Sequence, residues 1–174
     1  MENSRFDDER GAWWENLGNA STEDLEQLSE LEPTSIMNDQ ARSYDMELTL
    51  ASPGTKTTPE SQLRSAIREY GADVRIGLFP VPRPADVPCW TGWYSVNQPY
   101  AAIPGYLFNS VILRSWEDRS GARLLKMGQD SMVVAVQRGP DTIDQAKLLA
   151  SEHLVFDPEG YVDIIAGDPI AAWS

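Results

Sequence analysis

The chain has 174 residues, of which 41% are hydrophobic and 24% are charged, so it is long enough to form one domain with a hydrophobic core. Its formal net charge is −13, and a chain of this charge repels nucleic-acid phosphates, so direct binding of DNA or RNA is not expected. No apolar run approaches the roughly 18 residues that a membrane span needs, which also excludes membrane proteins with a helical anchor.

The cysteine count and the start of the chain bear on the compartment. With only one cysteine, Cys89, the chain cannot form an intramolecular disulfide. The residues from Met1 to Ser4 lack the basic start and apolar stretch of a signal peptide. We therefore expect a cytoplasmic protein that does not bind membranes.

The acidic residues are concentrated at the beginning of the chain. Residues 1–32 contain ten acidic and two basic residues, a net charge of −8, whereas residues 33–174 contain seventeen acidic and twelve basic residues, a net charge of −5. A basic protein is the natural partner for such a segment, although the charge can equally serve solubility alone. Trp13 and Trp14 interrupt the acids, and we expect them to dock either on the protein's own core or on a partner.

The first predicted elements are short. A helix is predicted over 22–32, because Thr22 can cap its start and Pro33 follows its end. Weak alternation of apolar residues over 44–50 predicts a strand, and residues 51–58 are rich in turn-forming types and predict a loop.

Glycine and proline divide the middle of the chain. A helix is predicted over 58–70, with Gly71 at its end, and the alternation over 74–78 predicts a strand. Four prolines between residues 80 and 88 predict an extended loop without regular structure.

Stronger patterns occur in the second half. They predict a helix over 106–120, paired strands over 122–127 and 131–137, and a third helix that begins after Thr142. Gln145 lies three residues after this threonine, which is the spacing of a capping box.

Together these elements predict an α+β fold, in which an antiparallel or mixed sheet carries two or three packed helices. An acidic N-terminal arm, residues 1–57, is expected to precede the α+β domain, residues 58–174. Because a folded core does not need the acidic excess of residues 1–32, their deletion is expected to leave a folded remainder.

Several motifs in the second half resemble one bacterial family. They are Arg83-Pro84-Ala85-Asp86-Val87-Pro88, Thr91-Gly92-Trp93, Leu113-Arg114-Ser115-Trp116-Glu117-Asp118-Arg119, Gly121-Ala122-Arg123-Leu124, Met127-Gly128-Gln129-Asp130, Gly139-Pro140 and Glu152-His153. On these motifs the chain resembles the domain-of-unknown-function family numbered 4253 over about residues 79–173. The family usually has an aromatic-Cys-Pro-Asp step after the Glu-His pair, whereas this chain has Phe156-Asp157-Pro158-Glu159. Because the family has no assigned function, the resemblance implies no reaction. Because this chain lacks the cysteine of that step, no chemistry that needs its thiol is expected here.

Carboxylates and the single histidine are the candidates for catalysis. His153 lies near the end of a predicted helix, where a structural role is the favoured interpretation. Glu117, Asp118 and Glu152 are the best candidates for general acid–base work, although Asp118 is expected to pair with Arg114 on the helix surface. A Cys–His nucleophile pair has no local signature, and no metal-binding or nucleotide-binding motif occurs, so we expect no metal and no cofactor.

Aromatic residues are the candidates for partner binding. Trp90, Trp93, Tyr94 and Tyr100 fall within eleven positions of a loop rich in proline and glycine. Either they cover the sheet as a lid or they form a binding surface.

The leading hypothesis is a protein-binding module of the immunity or inhibitor type that masks a basic partner. Its expected partner-binding residues are Trp13, Trp14, Trp90, Trp93, Tyr94 and Tyr100. The first alternative is an acidic mimic of nucleic-acid phosphates that blocks a nucleic-acid-binding protein, and the second is a hydrolytic enzyme that uses Glu152, His153 and Glu117. No pattern indicates an oligomeric state.

Overall fold

The structure, a computed structural model, describes residues 22–55, 77–93, 103–128 and 131–158. Five α-helices and a two-stranded antiparallel sheet in these residues confirm the predicted α+β class, with more helices than the two or three expected. The elements in chain order are α1 (Thr22–Glu30), α2 (Pro33–Arg42), a 3-10 helix (Pro84–Asp86), α3 (Val87–Thr91), α4 (Gly105–Ser120), β1 (Arg123–Met127), β2 (Met132–Ala135) and α5 (Ile143–Phe156). None of the described helices combines the length and the hydropathy of a membrane span.

Helix α4 is the centre of the molecule. It is buried on nearly all sides, and it contacts α1, α2, α3 and β1. Its end is fixed by Gly121, which has φ 65° and donates its N–H to the Glu117 carbonyl at 2.9 Å. A side chain at this position would come within 2.6 Å of the Gln137 Oε1 atom, so glycine is required both by its conformation and by the close approach.

The sheet is a single hairpin within the described residues. β1 pairs with β2 in antiparallel register, from Arg123 opposite Ala135 to Met127 opposite Met132, with an irregularity between Leu124 and Lys126. The partly buried apolar side chains of the hairpin pack against the helical core. The paired strands and helices α4 and α5 therefore confirm the predictions for the second half, including the capping box of Thr142 and Gln145.

The described part of the N-terminal arm belongs to the core. Leu28 of α1 and Met37 and Ala41 of α2 are buried in the same hydrophobic cluster as Phe108 and Ile112 of α4. The boundary predicted at residue 57 therefore does not separate two cores. Deletion of residues 1–32 would remove Leu28 from this cluster and leave a cavity. The expectation that the remainder stays folded is therefore corrected: the deletion should destabilise it.

The segment predicted as a strand over 44–50 forms no strand. Its alternation does predict burial correctly, because Leu48 is buried and Met46 and Leu50 pack against the core. The segment lies against helices, however, and it pairs with no strand of the described residues. Gly77 and Leu78, from the predicted strand over 74–78, are likewise not in a strand, and Leu78 is 94% exposed.

Two α-helices and a 3-10 helix occur where none was predicted. Pro33, interpreted as the stop after α1, is the first residue of α2, whose N-cap Glu32 accepts hydrogen bonds from the Thr34 and Ser35 N–H groups at 3.1 and 2.6 Å. In the proline-rich segment, Pro84 begins the 3-10 helix and Pro88 lies in the first turn of α3. The predictions for residues 58–70 and 74–76 lie outside the described residues.

Candidate functional site

The motif residues that carry the family resemblance converge on α4. Four charged side chains of this helix form ion pairs with three residues from two segments that are distant in sequence. The contacts join Arg83 to Glu117 and Asp118, Asp86 to Arg114, and Glu152 to Arg119. The motifs thus describe how α4 is held in place.

Arg83 binds the exposed end of this network. Its Nε donates to the Glu117 Oε2 atom at 2.8 Å, and one terminal nitrogen donates to the Asp118 Oδ1 atom at 2.7 Å. The same nitrogen lies 3.3 Å from the Arg114 carbonyl oxygen, to which it also donates. The predicted pairing of Asp118 with Arg114 on the helix surface is therefore wrong, because each of them binds a residue of the segment before α3.

The pair of Asp86 and Arg114 joins α4 to the 3-10 helix and to α1. Arg114 Nε donates to the fully buried Asp86 Oδ1 at 2.5 Å, and its Nη1 donates to the Leu28 carbonyl at 3.3 Å. The other carboxylate oxygen of Asp86 has no hydrogen-bond partner within the described ranges. A buried ion pair of this kind holds three elements in one arrangement.

Glu152 is the most completely bonded carboxylate of the site. It is 0% exposed, and its two oxygens accept hydrogen bonds from the Ala51 N–H at 2.5 Å and from the Trp116 indole N–H at 2.8 Å. Two nitrogens of the Arg119 guanidinium also donate to it, at 2.5 and 3.0 Å. Because four donors already occupy the carboxylate, it is not open to accept a proton from a substrate.

His153 stacks on the neighbouring indole. The centres of the His153 and Trp116 rings are 4.9 Å apart with an interplanar angle of 30°, although the histidine as a whole is exposed. Desolvation lowers the pKa of His153 and outweighs the opposing effect of the Glu152 and Asp157 carboxylates. Folding thus favours the neutral imidazole, and the ring contact with Trp116 supports the structural role.

Replacement of His153 by alanine is expected to lower the free energy of unfolding by about 1 kcal/mol at pH 7.5, because the ring contact with Trp116 is lost. Urea unfolding measures this change. Unchanged stability would contradict the structural role.

The pH dependence of the free energy of unfolding provides a second test of the role of His153. Because the pKa of His153 is lower in the folded chain than its usual 6.5, folding favours the neutral form. Its contribution to stability is present above about pH 6.5 and is lost as the pH falls through the folded pKa. The wild type should therefore lose more stability than His153→Gln between pH 7.5 and 5.5.

Cys89 has the properties of a core residue. Its side chain is fully buried, and its backbone N–H donates to the Ser110 hydroxyl at 2.9 Å. Desolvation, together with Asp24 and Asp86, raises the pKa of the Cys89 thiol to about 11. A thiol in this state is protonated and inaccessible, so the Cys–His nucleophile pair has no support.

The described residues do not gather a catalytic constellation. Glu117 pairs with Arg83, whereas Glu152 is enclosed by Arg119 and Trp116. The two carboxylates that a hydrolytic enzyme would use are therefore bound to different partners. In the described ranges, no three residues of the types His, Cys, Asp and Glu are placed to hold a metal ion. A hollow lined by Ala51, Arg119 and Arg138, among others, has a volume of about 10 Å³, which is room for about one water.

The aromatic candidates differ in their placement. Trp93 is only 5% exposed, and its indole N–H donates to the Gly128 carbonyl at 2.8 Å, so it anchors α3 to the hairpin and is not a surface anchor. This corrects its expected role in partner binding. Trp90 is half-buried. Trp13, Trp14, Tyr94 and Tyr100 lie outside the described residues.

A run of exposed carboxylates is the surface feature that the sequence analysis only outlined. Residues 22–47, which contain α1 and α2, have eight carboxylates and a single base, Arg42. Seven of these carboxylates are exposed, and we call them the acidic face: Glu23, Glu26, Glu30, Glu32, Asp39, Asp45 and Glu47. Arg42 is bound to Asp39 at 2.7 Å, so the face remains strongly negative. The charge excess, assigned above to residues 1–32, therefore continues past α2 to Asp45 and Glu47.

The comparisons with known proteins agree with the motifs. A family model described as Domain of unknown function (DUF4253) matches residues 75–164, just over half of the chain, and the chain belongs to this family. The match begins before the expected residue 79 and ends before residue 173. The comparison with curated proteins and the comparison with solved structures each found no match.

Proposed function

We propose that this protein is a protein-binding module that docks a basic partner on its acidic face, in the manner of an inhibitor or immunity-type protein. The observation that supports this proposal is the exposure of seven carboxylates between residues 23 and 47, with only Arg42 to oppose them. A fold does not need this arrangement, because like charges at close spacing repel one another and act against compaction. Such a surface instead steers a positively charged partner toward the protein.

The packing of α1 supports the same proposal, because it makes the face rigid. Leu28 is buried against α4, the Arg114 guanidinium donates to the Leu28 carbonyl at 3.3 Å, and the Tyr106 hydroxyl donates to Asp24 at 3.2 Å. Carboxylates on a helix that is fixed in this way are held in place before a partner arrives. Less conformational freedom is then lost on binding than with a flexible acidic tail.

Neutralising α1 is expected to slow association with the partner. We propose to capture the partner from the native host with the wild-type chain, and then to compare the triple variant Glu23→Gln, Glu26→Gln and Glu30→Gln. The association rate at low salt should fall about tenfold and the salt dependence should weaken, because these charges act during approach.

The control variant for this experiment is Asp144→Asn, which removes one exposed charge on α5 that is not part of the acidic face. If Asp144→Asn slowed association as much per charge as the triple variant, only the net charge of the protein would matter. Capture of a partner that is not basic would refute the proposal. If the partner binds nucleic acid, and duplex DNA competes with the chain for it, the phosphate-mimic alternative is favoured instead.

A further inference from the structure

Residues 48–55, which we call the extended segment, are buried at every third position. Leu48, Ala51 and Gly54 are buried, whereas the residues between them are exposed or half-buried. The segment contains neither helix nor strand, and its second half lies against the end of α4, residues 138–141 and α5. A period of three is that of a polyproline II helix, which places every third residue on one face. One face of the segment therefore lies in a groove of the fold.

An ion pair of this groove holds both main-chain groups of Ala51. The Glu152 Oε1 atom accepts a hydrogen bond from the Ala51 N–H at 2.5 Å, and the Arg119 Nη1 atom donates to the Ala51 carbonyl at 2.6 Å. The two side chains are also bonded to each other. An extended segment of this kind makes no internal hydrogen bonds, so its main-chain groups are free to bind such a pair. Recognition of main-chain groups depends little on which side chains the bound segment carries.

Close packing decides which residues the groove accepts. A Cβ atom at Gly54 would overlap the Gly139 carbonyl oxygen, so this position requires glycine. The hollow that Ala51 lines has room for about one water, so it does not admit a large side chain. At the end of the segment, the Asp141 carboxylate accepts hydrogen bonds from both the N–H and the hydroxyl of Thr55. The groove thus selects an extended peptide with an apolar residue and then two small residues at intervals of three.

The groove and the extended segment belong to different parts of the chain. Arg119, Gly139, Asp141 and Glu152 lie within the residues that the family model matches, whereas residues 48–55 precede them. The segment buries only three of its eight residues and has no regular secondary structure. Local release of such a segment costs less free energy than unfolding of a buried helix such as α4.

We propose that this groove is a peptide-binding site, that the extended segment occupies it in cis, and that an extended peptide of the same pattern in a partner protein displaces the segment. The tethered segment competes at a high effective concentration, so it keeps the groove closed to weak ligands. The segment has no charged side chain, so the proposal does not rest on the acidic face.

The test compares the wild type with the full-length double variant Ala51→Pro and Gly54→Val. Proline removes the N–H that Glu152 accepts, and valine overlaps the Gly139 carbonyl, whereas every residue of the groove stays unchanged. The probe is a fluorescein-labelled peptide with the sequence of residues 48–55, and fluorescence anisotropy measures its binding. The peptide should bind the double variant at least about tenfold more tightly than the wild type, because the tethered competitor is weakened.

A peptide that carries the same two substitutions is the control, and it should not bind either protein. Circular dichroism verifies that the double variant is folded. Equal binding of the peptide to both proteins, equal binding of the two peptides, or no binding to the folded variant would each overturn the proposal.

Hydrogen exchange of the wild type decides the question if the double variant does not fold. The Ala51 amide should have a protection factor at least about tenfold lower than that of the Ile112 amide in α4, because the segment opens locally. Equal protection of the two amides would show that the segment leaves the groove only when the whole protein unfolds, and the proposal would then be wrong.

Discussion

Replacement of Glu152 by alanine is expected to lower the free energy of unfolding by about 3–5 kcal/mol. The substitution leaves the Arg119 guanidinium without its carboxylate in a site that is largely buried, and it removes the acceptor of the Trp116 indole and of the Ala51 N–H. Unpaired buried donors and charges lose their solvation without compensation, which is the main source of this cost. Urea unfolding followed by circular dichroism measures the change.

Two further variants separate the network from general effects. Asp144→Ala removes an exposed carboxylate from the same helix and should change stability by less than about 0.5 kcal/mol. Glu152→Gln keeps the shape of the side chain but directs an NH₂ group at Arg119 and at either the Ala51 N–H or the Trp116 indole N–H, so it should also destabilise the protein. A loss below about 1 kcal/mol in Glu152→Ala would contradict the structural role and would return this residue to the candidates for catalysis.

The sequence predicted the helices and strands whose start, periodicity and end agree with one another. Helix α4 has an apolar period and Gly121 at its end, and α5 has the capping box of Thr142 and Gln145. The hairpin was predictable because two apolar runs flank a glycine turn. In these places the local signals and the final packing favour the same structure, so pattern analysis succeeds.

Proline was the main source of error, because it can end one helix and begin another. Pro33 follows α1, yet its fixed φ also suits the first position of α2, and the sequence alone does not say which effect applies. The same ambiguity applies to Pro84 and Pro88, which were interpreted as extended but lie in first turns. The signal that could have revealed α2 was the apolar pair Ile36 and Met37, with Ala41 four residues after Met37.

The ion-pair network could not be derived from spacing. The partners of Arg114, Glu117 and Arg119 lie between 28 and 34 residues away in sequence, so no pattern within one helix identifies them. The sequence nevertheless contained a signal for such a network, because these charged residues alternate with apolar residues on one predicted helix. Charges on a buried helix require partners, and the motifs supply those partners in Asp86 and Glu152. The acidic face could be predicted as a charge excess, whereas the exposure of each carboxylate depends on how α1 and α2 pack on the core.

Trp116 was predicted from its helical face to be a core residue, and at 6% exposure the structure confirms this. Trp116→Ala is expected to lower the free energy of unfolding by about 3–5 kcal/mol. The loss combines a large cavity with broken contacts, since the indole packs on His153 and lies 5.1 Å from the Phe156 ring centre. Chemical unfolding measures the total.

Comparison with Trp116→Phe divides this total into packing and hydrogen bonding. Phenylalanine keeps an aromatic ring between His153 and Phe156 but has no N–H to donate to Glu152, so it should cost about 1–3 kcal/mol. In the Glu152→Ala background the extra cost of Trp116→Phe should become smaller, because the acceptor is already gone. Additive losses in the double variant would show that the indole contributes through packing alone. A loss below about 1 kcal/mol in Trp116→Ala would show instead that the ring is exposed in solution.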